Sequence, residues 1–385
     1  MLLPVYFDHA ATTPVRADVL EAMLPFWGPR FGNPSSTHRW GREARAALDE
    51  ARERVAHCLG AHVDEVVFTS GGTEADNLAV LGGWRVLRTS GRKSVVSTPI
   101  EHKAVLAAVH QAAAEGADER MLAVKQSGVV DLDAAARTID DDAALVTAMW
   151  VNNETGAVQP ILELCGLAKN AGAVFHTDAV QAFGKIAIDA RSFPFDLLSV
   201  SGHKLGAPKG VGAMFVRRGT PLSPLFFGGT QDRGRRPGTE NVAMAVGLAV
   251  AMELTLAERG SEAARLRAMR DRLETALAER IPDVVIHARD AERAPHITAL
   301  TIPGTESESL LMALDLKGVA CSGGSACQSG SVGASHVLAA MGVAPDLVAG
   351  QLRLSLGVLT TDEGIDRLID VLPALAAKAR GQVVA

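Results

Sequence analysis

The chain has 385 residues, of which 48% are apolar and 21% are charged, a composition typical of a folded globular protein rather than a disordered one. Its formal net charge is −6, with 38 basic and 44 acidic side chains and no long basic run, so nothing predicts binding to nucleic acid or to a membrane surface. The N-terminal apolar run is too short for a signal peptide, and no stretch approaches the roughly 18 apolar residues of a transmembrane helix, so we expect a cytoplasmic protein.

Short apolar runs alternate with longer segments of helical periodicity between about residues 64 and 220. The predicted strands are EVVFTS, KSVVSTP, ALVTAMWV, AVFHTDA, DLLSVS and GVGAMFVRR, and the predicted helices are TEADNLAVLGGWRVL, HKAVLAAVHQAAAEG and ILELCGLAKNAG. Alternation of this kind predicts an α/β fold with a mostly parallel sheet that is covered on both faces.

The pattern changes after about residue 242, where one long helical segment begins. It is followed by the predicted strand HITALTIPG, a helix around SESLLMALDLKG, the segments SHVLAAMG and LRLSLG, and a closing helix from about residue 362. This mixture predicts a smaller α+β domain with which the N-terminal residues pack. We therefore expect a large domain over residues 15–250 and a small domain formed by residues 1–14 and 251–385.

The four cysteines do not form a disulfide framework in a chain of this length, and without a secretory signal we expect reduced thiols. Cys58 and Cys165 lie in apolar helical patterns and are predicted to be core residues. Cys321 and Cys327 both lie in the stretch ACSGGSACQSGS, where glycine and serine argue against a core position. A cysteine in such a loop can be accessible and reactive.

The stretch FTSGGTEADNLAV has the form of a phosphate cradle. A strand leads into glycines, which let backbone N–H groups approach an anion, and the helix that begins at once adds its dipole. Thr73 offers a hydroxyl next to Gly72. The stretch matches neither the Walker pattern nor GxGxxG, and a plain strand–turn–helix with an N-capping threonine is the alternative.

Two later stretches place ionisable residues directly after predicted strands. Asp178 of FHTDAVQAFGK lies where ligands bind in such sheets, and an anion there suits the ring nitrogen of pyridoxal phosphate; the alternative is an N-cap. Lys204 of SGHKLGAPKG offers the amine for a Schiff base, with Ser201 and His203 as phosphate donors. A surface loop lysine is the alternative, and Lys169, Lys185 and Lys209 compete for the role, although Lys169 and Lys185 are expected to be solvated.

The cradle, the aspartate and the lysine occur in this order across one α/β region, and jointly they predict a pyridoxal-phosphate enzyme with the aminotransferase-like fold (fold type I). The chain resembles the cysteine desulfurases that serve iron–sulfur assembly or nitrogen fixation. The resemblance runs almost end to end and is carried by YFDHAATTPV, GNPSSTH, FTSGGTEADNLA, EHKAV, VNNETGAVQPI, HTDAVQAFGK, SGHKLGAPKG, GGTQDRGRRPGTENV, SGSACQSG and LRLSLG.

The resemblance implies a role for each matching residue. Lys204 would carry the cofactor, His102 would stack on its ring and shuttle protons, and Gln181 would contact its phenolic oxygen. The phosphate would be held by Gly72, Thr73, Ser201 and His203, the ring nitrogen by Asp178, and the substrate carboxylate by Asn153 and Arg353. Thr239 would reach the phosphate of a neighbouring subunit, which implies a homodimer.

The resemblance also implies the reaction. The thiolate of Cys327 would attack the sulfur of L-cysteine, which leaves a persulfide on Cys327 and L-alanine as the product. In some members this cysteine also ligates an iron–sulfur cluster shared with a scaffold partner. The sulfur acceptor would be a scaffold or sulfur-relay protein.

Several alternatives remain open at the level of sequence. His102 can cap a helix, Asn153 can be a turn residue, Arg353 can pair with a structural acid, and Cys321 can be a second redox thiol. A lyase or aminotransferase for another amino acid, such as selenocysteine, and a non-catalytic scaffold are the competing functions. The segment VGA after SACQSGS and the short C-terminus depart from the family pattern and affect the expected partner contacts.

Overall fold

The computed structural model describes residues 4–324 and 335–381. Its strands are β1 (Val5–Tyr6), β2 (Val66–Thr69), β3 (Ser94–Ser97), β4 (Asp118–Met121), β5 (Ala143–Thr147), β6 (Val174–Asp178), β7 (Leu197–Ser201), β8 (Gly212–Val216), β9 (Val285–Ile286), β10 (Ile297–Thr301), β11 (Val319–Ala320) and β12 (Gln351–Ser355). Every strand predicted between residues 64 and 220 is present.

The helices alternate with these strands. They are α1 (Ala17–Met23), α2 (Arg39–Leu59), α3 (Gly72–Asn77), α4 (Gly83–Leu87), α5 (Lys103–Ala114), α6 (Leu132–Thr138), α7 (Ile161–Asn170), α8 (Val242–Arg280), α9 (Ser307–Leu316), α10 (His336–Ala340), α11 (Pro345–Val348) and α12 (Asp362–Ala379). A π-helical segment, Leu78–Gly82, joins α3 to α4, so that the chain is helical from Gly72 to Leu87 as predicted.

The main sheet has seven strands in the order β2-β8-β7-β6-β5-β3-β4. Strands β4, β3, β5, β6 and β7 are mutually parallel, whereas β8 runs antiparallel to both of its neighbours. All five residues of β5, β7 and β8 are buried, because helices cover both faces of the sheet. The α/β prediction is therefore confirmed.

Strand β4 was not predicted from the sequence. Its residues, DERM, are exposed or half-buried, and it lies at the edge of the sheet with β3 as its one partner. An edge strand needs only one buried face and tolerates charged side chains, so it lacks the apolar run that identifies an inner strand.

The described residues form two large cores. The first consists of two hydrophobic clusters that pack on the main sheet, and the second packs α9, α12 and the antiparallel sheet β12-β10-β9. Helix α8 contributes to both, with Met252 in the first core and Leu266 in the second. The N-terminal β1 pairs in parallel with β11. The boundaries 15–250 and 251–385 stay predictions, and we propose that the division falls within α8 between these two residues.

Helices of the described segments are all too short or too polar to cross a membrane.

Candidate active site

Ten of the predicted site residues line one cleft at the carboxyl edge of the main sheet. Strand β6 ends at Asp178, and β7 ends at Ser201 and runs directly into the single turn Gly202–Lys204. Because parallel strands bring their carboxyl ends to one edge, segments far apart in sequence meet there. The cleft has a volume of about 210 Å³, and the predicted residues that line it are Gly72, Thr73, His102, Asn153, Asp178, Gln181, Ser201, His203, Lys204 and Arg353.

Of the other predicted residues, one lies outside this cleft and one lies outside the described residues. Thr239 is exposed and does not line it. Cys327 lies outside the described residues, so its predicted roles as nucleophile and iron–sulfur ligand are not tested by the structure.

Lys204 is held at the wall of the cleft by its own ammonium group. Its Nζ donates hydrogen bonds to the carbonyl oxygens of Ala10, at 2.6 Å, and Ala11, at 2.7 Å. Two backbone carbonyls therefore help to position the amine.

The competing lysines lie elsewhere. Lys169 is solvated as predicted and pairs with Asp196 at 2.6 Å, and Lys209 is exposed. The expectation of a solvated Lys185 is wrong, because it is half-buried beside a neighbouring cavity and burial lowers its pKa. Lys204 is the lysine among these four that lines the cleft.

The predicted cradle corresponds to the glycine-rich turn before α3. Gly71 is the N-cap of the helix and has a φ of 153°, a backbone conformation that residues other than glycine rarely adopt. Thr73 lies inside the helix and not at its N-cap, so the alternative of a capping threonine is wrong. The hydroxyl of Ser201 lies about a van der Waals contact from the position that a Cβ on Gly71 would take, 3.8 Å away. Backbone donors and a hydroxyl thus face the same space.

Asp178 is a buried carboxylate that faces this cleft. Its Oδ1 accepts from the backbone N–H of Val180 at 2.8 Å in a turn, and no helix follows directly, so the alternative of an N-cap is wrong. Burial raises the pKa of Asp178, and the nearby His102 and Lys204 oppose this effect. A bound group with a cationic nitrogen would offset the cost of keeping this carboxylate charged.

His102 both caps a helix and lines the cleft. Its Nδ1 accepts the backbone N–H of Ala104 at 3.1 Å, so it caps α5 as the alternative reading of the sequence proposed, and its ring lines the cleft. The imidazole of His203 contacts Thr12 Oγ1 at 3.2 Å. Burial and the adjacent Lys204 lower the pKa of His203 to about 4, so it is a neutral hydrogen-bonding group.

Arg353 is almost fully buried and lines the cleft. Its Nη2 donates to Asp8 Oδ1 at 2.8 Å, and its Nη1 donates to the backbone carbonyl of Asn153 at 3.0 Å, whereas its Nε has no hydrogen-bond partner among the described residues. The alternative that Arg353 pairs with a structural acid is therefore confirmed, since Asp8 is that acid. It does not exclude the predicted role, because Arg353 and Asn153 both line the cleft.

The described cysteines are poor nucleophiles. Burial raises the pKa of Cys58 to about 12 and that of Cys165 to about 11. Cys321 packs against the second core, so the expectation that glycine and serine exclude it from a core position is wrong. Burial raises its pKa to about 12 as well, which favours a bystander over the alternative of a second redox thiol. Within residues 4–324 and 335–381, no group of three or more His, Cys, Asp and Glu side chains is arranged to hold a metal ion.

Sequence reasoning missed several contributors to the site. Asp76 lines the cleft, and burial and the charge of Asp178 raise its pKa well above the usual value. His296 contacts Gln181, and Asp8 and Ala10 contact Arg353 and Lys204. Asp8 and Ala10 belong to the motif YFDHAATTPV, and Asp76 belongs to FTSGGTEADNLA, but a match to a motif does not by itself assign a role to each of its residues.

Residues 5–368 match the family described as aminotransferase class-V, so the protein belongs to that family. Relatives within it carry a narrower name. The cysteine desulfurase IscS of Dictyoglomus turgidum is 44% identical over 98% of this chain and 95% of its own length. The cysteine desulfurase NifS of Azotobacter vinelandii is 44% identical over 98% of this chain and 93% of its own length. A solved structure described as a NifS-like protein has a TM-score of 0.91 and 34% identity, and covers 98% of this chain and 100% of its own. The chain is thus a member of the cysteine desulfurase group.

Proposed function

We propose that the protein is a pyridoxal-phosphate-dependent cysteine desulfurase, which converts L-cysteine to L-alanine and carries the sulfur as a persulfide on Cys327. The observation that supports this most is that Lys204, Asp178 and Arg353 line one cleft. The Lys204 amine can attach the cofactor covalently, and the buried Asp178 carboxylate can pair with the cofactor's ring nitrogen. The Arg353 guanidinium can bind the carboxylate of an amino acid beside it.

The residues of the cleft fit pyridoxal phosphate. Lys204 would hold it covalently, Asp178 would pair with its ring nitrogen, Gln181 would contact its phenolic oxygen, and His102 would stack on its ring. The residues that would hold its phosphate are Gly72, Thr73, Ser201 and His203. When bound, the cofactor supplies an electron sink for bond breaking at the substrate α-carbon. The neutral state of His203 suits it to donate or accept a hydrogen bond.

The substrate carboxylate would be taken by Arg353 and Asn153. The guanidinium is already oriented by Asp8 and by the Asn153 carbonyl, so little rotamer entropy is lost when a carboxylate binds. His102 accepts the Ala104 N–H at Nδ1, and we therefore assign proton exchange with the substrate to Nε2.

The sulfur-transfer step balances with protein and substrate alone. A new S–S bond forms between Cys327 and the substrate sulfur, and the substrate Cβ–S bond breaks. Its electron pair stays with Cβ, which gains a proton equal to the one that the Cys327 thiol loses, and alanine results. Sulfur is oxidised to the persulfide level and carbon is reduced. The buried Cys321 has too high a thiol pKa to replace Cys327 readily.

Two kinds of partner belong to this proposal. Thr239 is exposed in the segment before α8, a position from which it could reach a second copy of the chain, and we propose a homodimer in which it contacts the partner's cofactor phosphate. The persulfide would pass to a sulfur-acceptor protein, such as an iron–sulfur scaffold or a relay protein.

The test is to incubate the purified protein, loaded with pyridoxal phosphate, with L-cysteine and a reductant and to measure alanine and sulfide. We expect equal amounts of both. A protein that binds the cofactor and forms no alanine would contradict the proposed activity, whereas alanine formation with L-selenocysteine only would favour the competing lyase.

A further inference from the structure

The side-chain amide of Gln181 is held at both ends. Its Nε2 donates to the carbonyl oxygen of Ala10 at 2.9 Å, and its Oε1 lies 3.2 Å from His296 Nε2. Gln181 is also one of the residues that line the cleft. The same Ala10 carbonyl accepts from Lys204 Nζ at 2.6 Å, so that His296, Gln181 and Lys204 form one connected set of hydrogen bonds.

The chemistry of these groups fixes the orientation of the amide. A carbonyl oxygen only accepts hydrogen bonds, so the atom of Gln181 that faces Ala10 must be the NH₂ group. The Oε1 atom therefore faces His296, whose Nε2 must carry a proton and donate it. One N–H of Gln181 is used by Ala10, and the second N–H remains for a group in the cleft.

The environment of His296 favours one tautomer, with the proton on Nε2. It is 2% exposed, and its Nδ1 has no hydrogen-bond partner among the described residues, so the contact with Gln181 is the one that uses its N–H. Burial lowers its pKa well below the usual value, and the cationic or ionisable groups Lys185, His9, Arg270 and Arg353 act in the same direction. The imidazole is neutral and has a single N–H to donate.

We propose that His296 is a positioning residue, which fixes the amide of Gln181 so that its second N–H points at the phenolic oxygen of the cofactor. This inference rests on the proposed function. Without the donor at His296, the amide loses the bond that anchors its oxygen, and the oxygen can turn toward the cleft. An amide oxygen facing an anionic oxygen repels it, so both the affinity for the cofactor and its protonation would change.

The test compares His296→Leu with His296→Gln. Leucine has no donor, whereas the side-chain amide of glutamine reaches about as far as an imidazole and places an N–H near the position of Nε2. His287→Leu is the matched control, because His287 is also buried, bonds Thr301 Oγ1 at 2.7 Å and does not line the cleft. Gln181→Glu, which removes the donor itself, is the reference for complete loss.

Two properties of the cofactor-loaded proteins are measured. They are the dissociation constant of pyridoxal phosphate and the pH midpoint of the absorbance of the bound cofactor. For His296→Leu we expect binding about tenfold weaker and a higher midpoint, because a donor to the phenolic oxygen lowers the basicity of the neighbouring nitrogen. His296→Gln and His287→Leu should stay within about twofold of the wild type, since the donor is kept in each.

Each outcome decides the inference. A shift in Gln181→Glu without a shift in His296→Leu would overturn the role of His296 and leave the proposed function intact. A wild type that does not bind the cofactor would overturn the proposed function and the inference with it. If His296→Leu does not fold, as judged by circular dichroism, His296→Asn replaces it, because its shorter amide does not reach Gln181, and the same shifts are expected.

Discussion

Arg353 and Asp8 form a 2.8 Å ion pair inside the wall of the cleft, although they are 345 residues apart in the chain. The pair joins β12 to the segment after β1, and the backbone carbonyl of Asn153 accepts the other terminal nitrogen of the guanidinium. A substrate carboxylate would therefore meet a guanidinium whose orientation is already set. One residue serves both the packing and the predicted binding of substrate.

Replacing Arg353 by lysine should separate its charge from its planar geometry. Lysine keeps the positive charge but cannot make the forked contact with a carboxylate. We expect the KM for L-cysteine to rise about 30-fold, which corresponds to about 2 kcal/mol, with a smaller change in kcat. Steady-state kinetics measure this, and Arg191→Lys, in an exposed ion pair with Asp189, is the control that should leave KM unchanged. An unchanged KM in Arg353→Lys would show that Arg353 acts in packing alone.

Replacing Lys204 by alanine should abolish covalent attachment of the cofactor. The variant removes the one lysine of the four candidates that lines the cleft, and it leaves the carbonyls of Ala10 and Ala11 without this donor. After borohydride reduction and denaturation, the wild type should retain the cofactor on the chain and Lys204→Ala should not. Exposed Lys209→Ala is the matched control and should retain it. Retention in Lys204→Ala would point to Lys185, the other buried amine considered.

The fold was predictable in most of its inner elements, and the site only in part. Apolar runs identify inner strands such as β5, whereas the charged edge strand β4 carries no such signal. Lys204 and Asp178 were predictable because strand ends mark a ligand-binding edge. His296 was not, since its contact with Gln181 joins residues 115 positions apart and depends on how the small sheet packs against the large one. The residues near His296 in the sequence do not predict that packing.

Burial of His287 should make stability depend on pH. Burial lowers its pKa from 6.5 to about 4, so between these values the unfolded chain binds a proton that the folded chain does not. Its contribution to stability is therefore present above about pH 6.5 and lost as pH falls toward about 4, with a slope of up to about 1.4 kcal/mol per pH unit. His287→Leu should reduce this slope in urea unfolding between about pH 4.5 and 6.5. Parallel stability curves for the two proteins would contradict the assignment.

Glu274 on α8 should be a large contributor to stability through Arg293. Its two carboxylate oxygens lie 2.6 and 2.8 Å from the guanidinium, and the side chains are 4% and 6% exposed. Glu274→Ala leaves a buried arginine without its partner, and we expect a loss of about 3 kcal/mol in the free energy of unfolding. Glu279→Ala, exposed on the same helix, should change it by less than about 0.5 kcal/mol in the same urea titration. Equal effects of the two variants would show that the pair does not carry this energy.

The most direct test of sulfur transfer to Cys327 is a single turnover of the cofactor-loaded protein with L-cysteine in the absence of reductant. One alanine should form per subunit in the wild type and in Cys321→Ala, with one persulfide on the chain by mass spectrometry. Cys327→Ala should keep the cofactor absorbance and form neither product. Full alanine and persulfide formation by Cys327→Ala would contradict the account and move the nucleophile to another thiol.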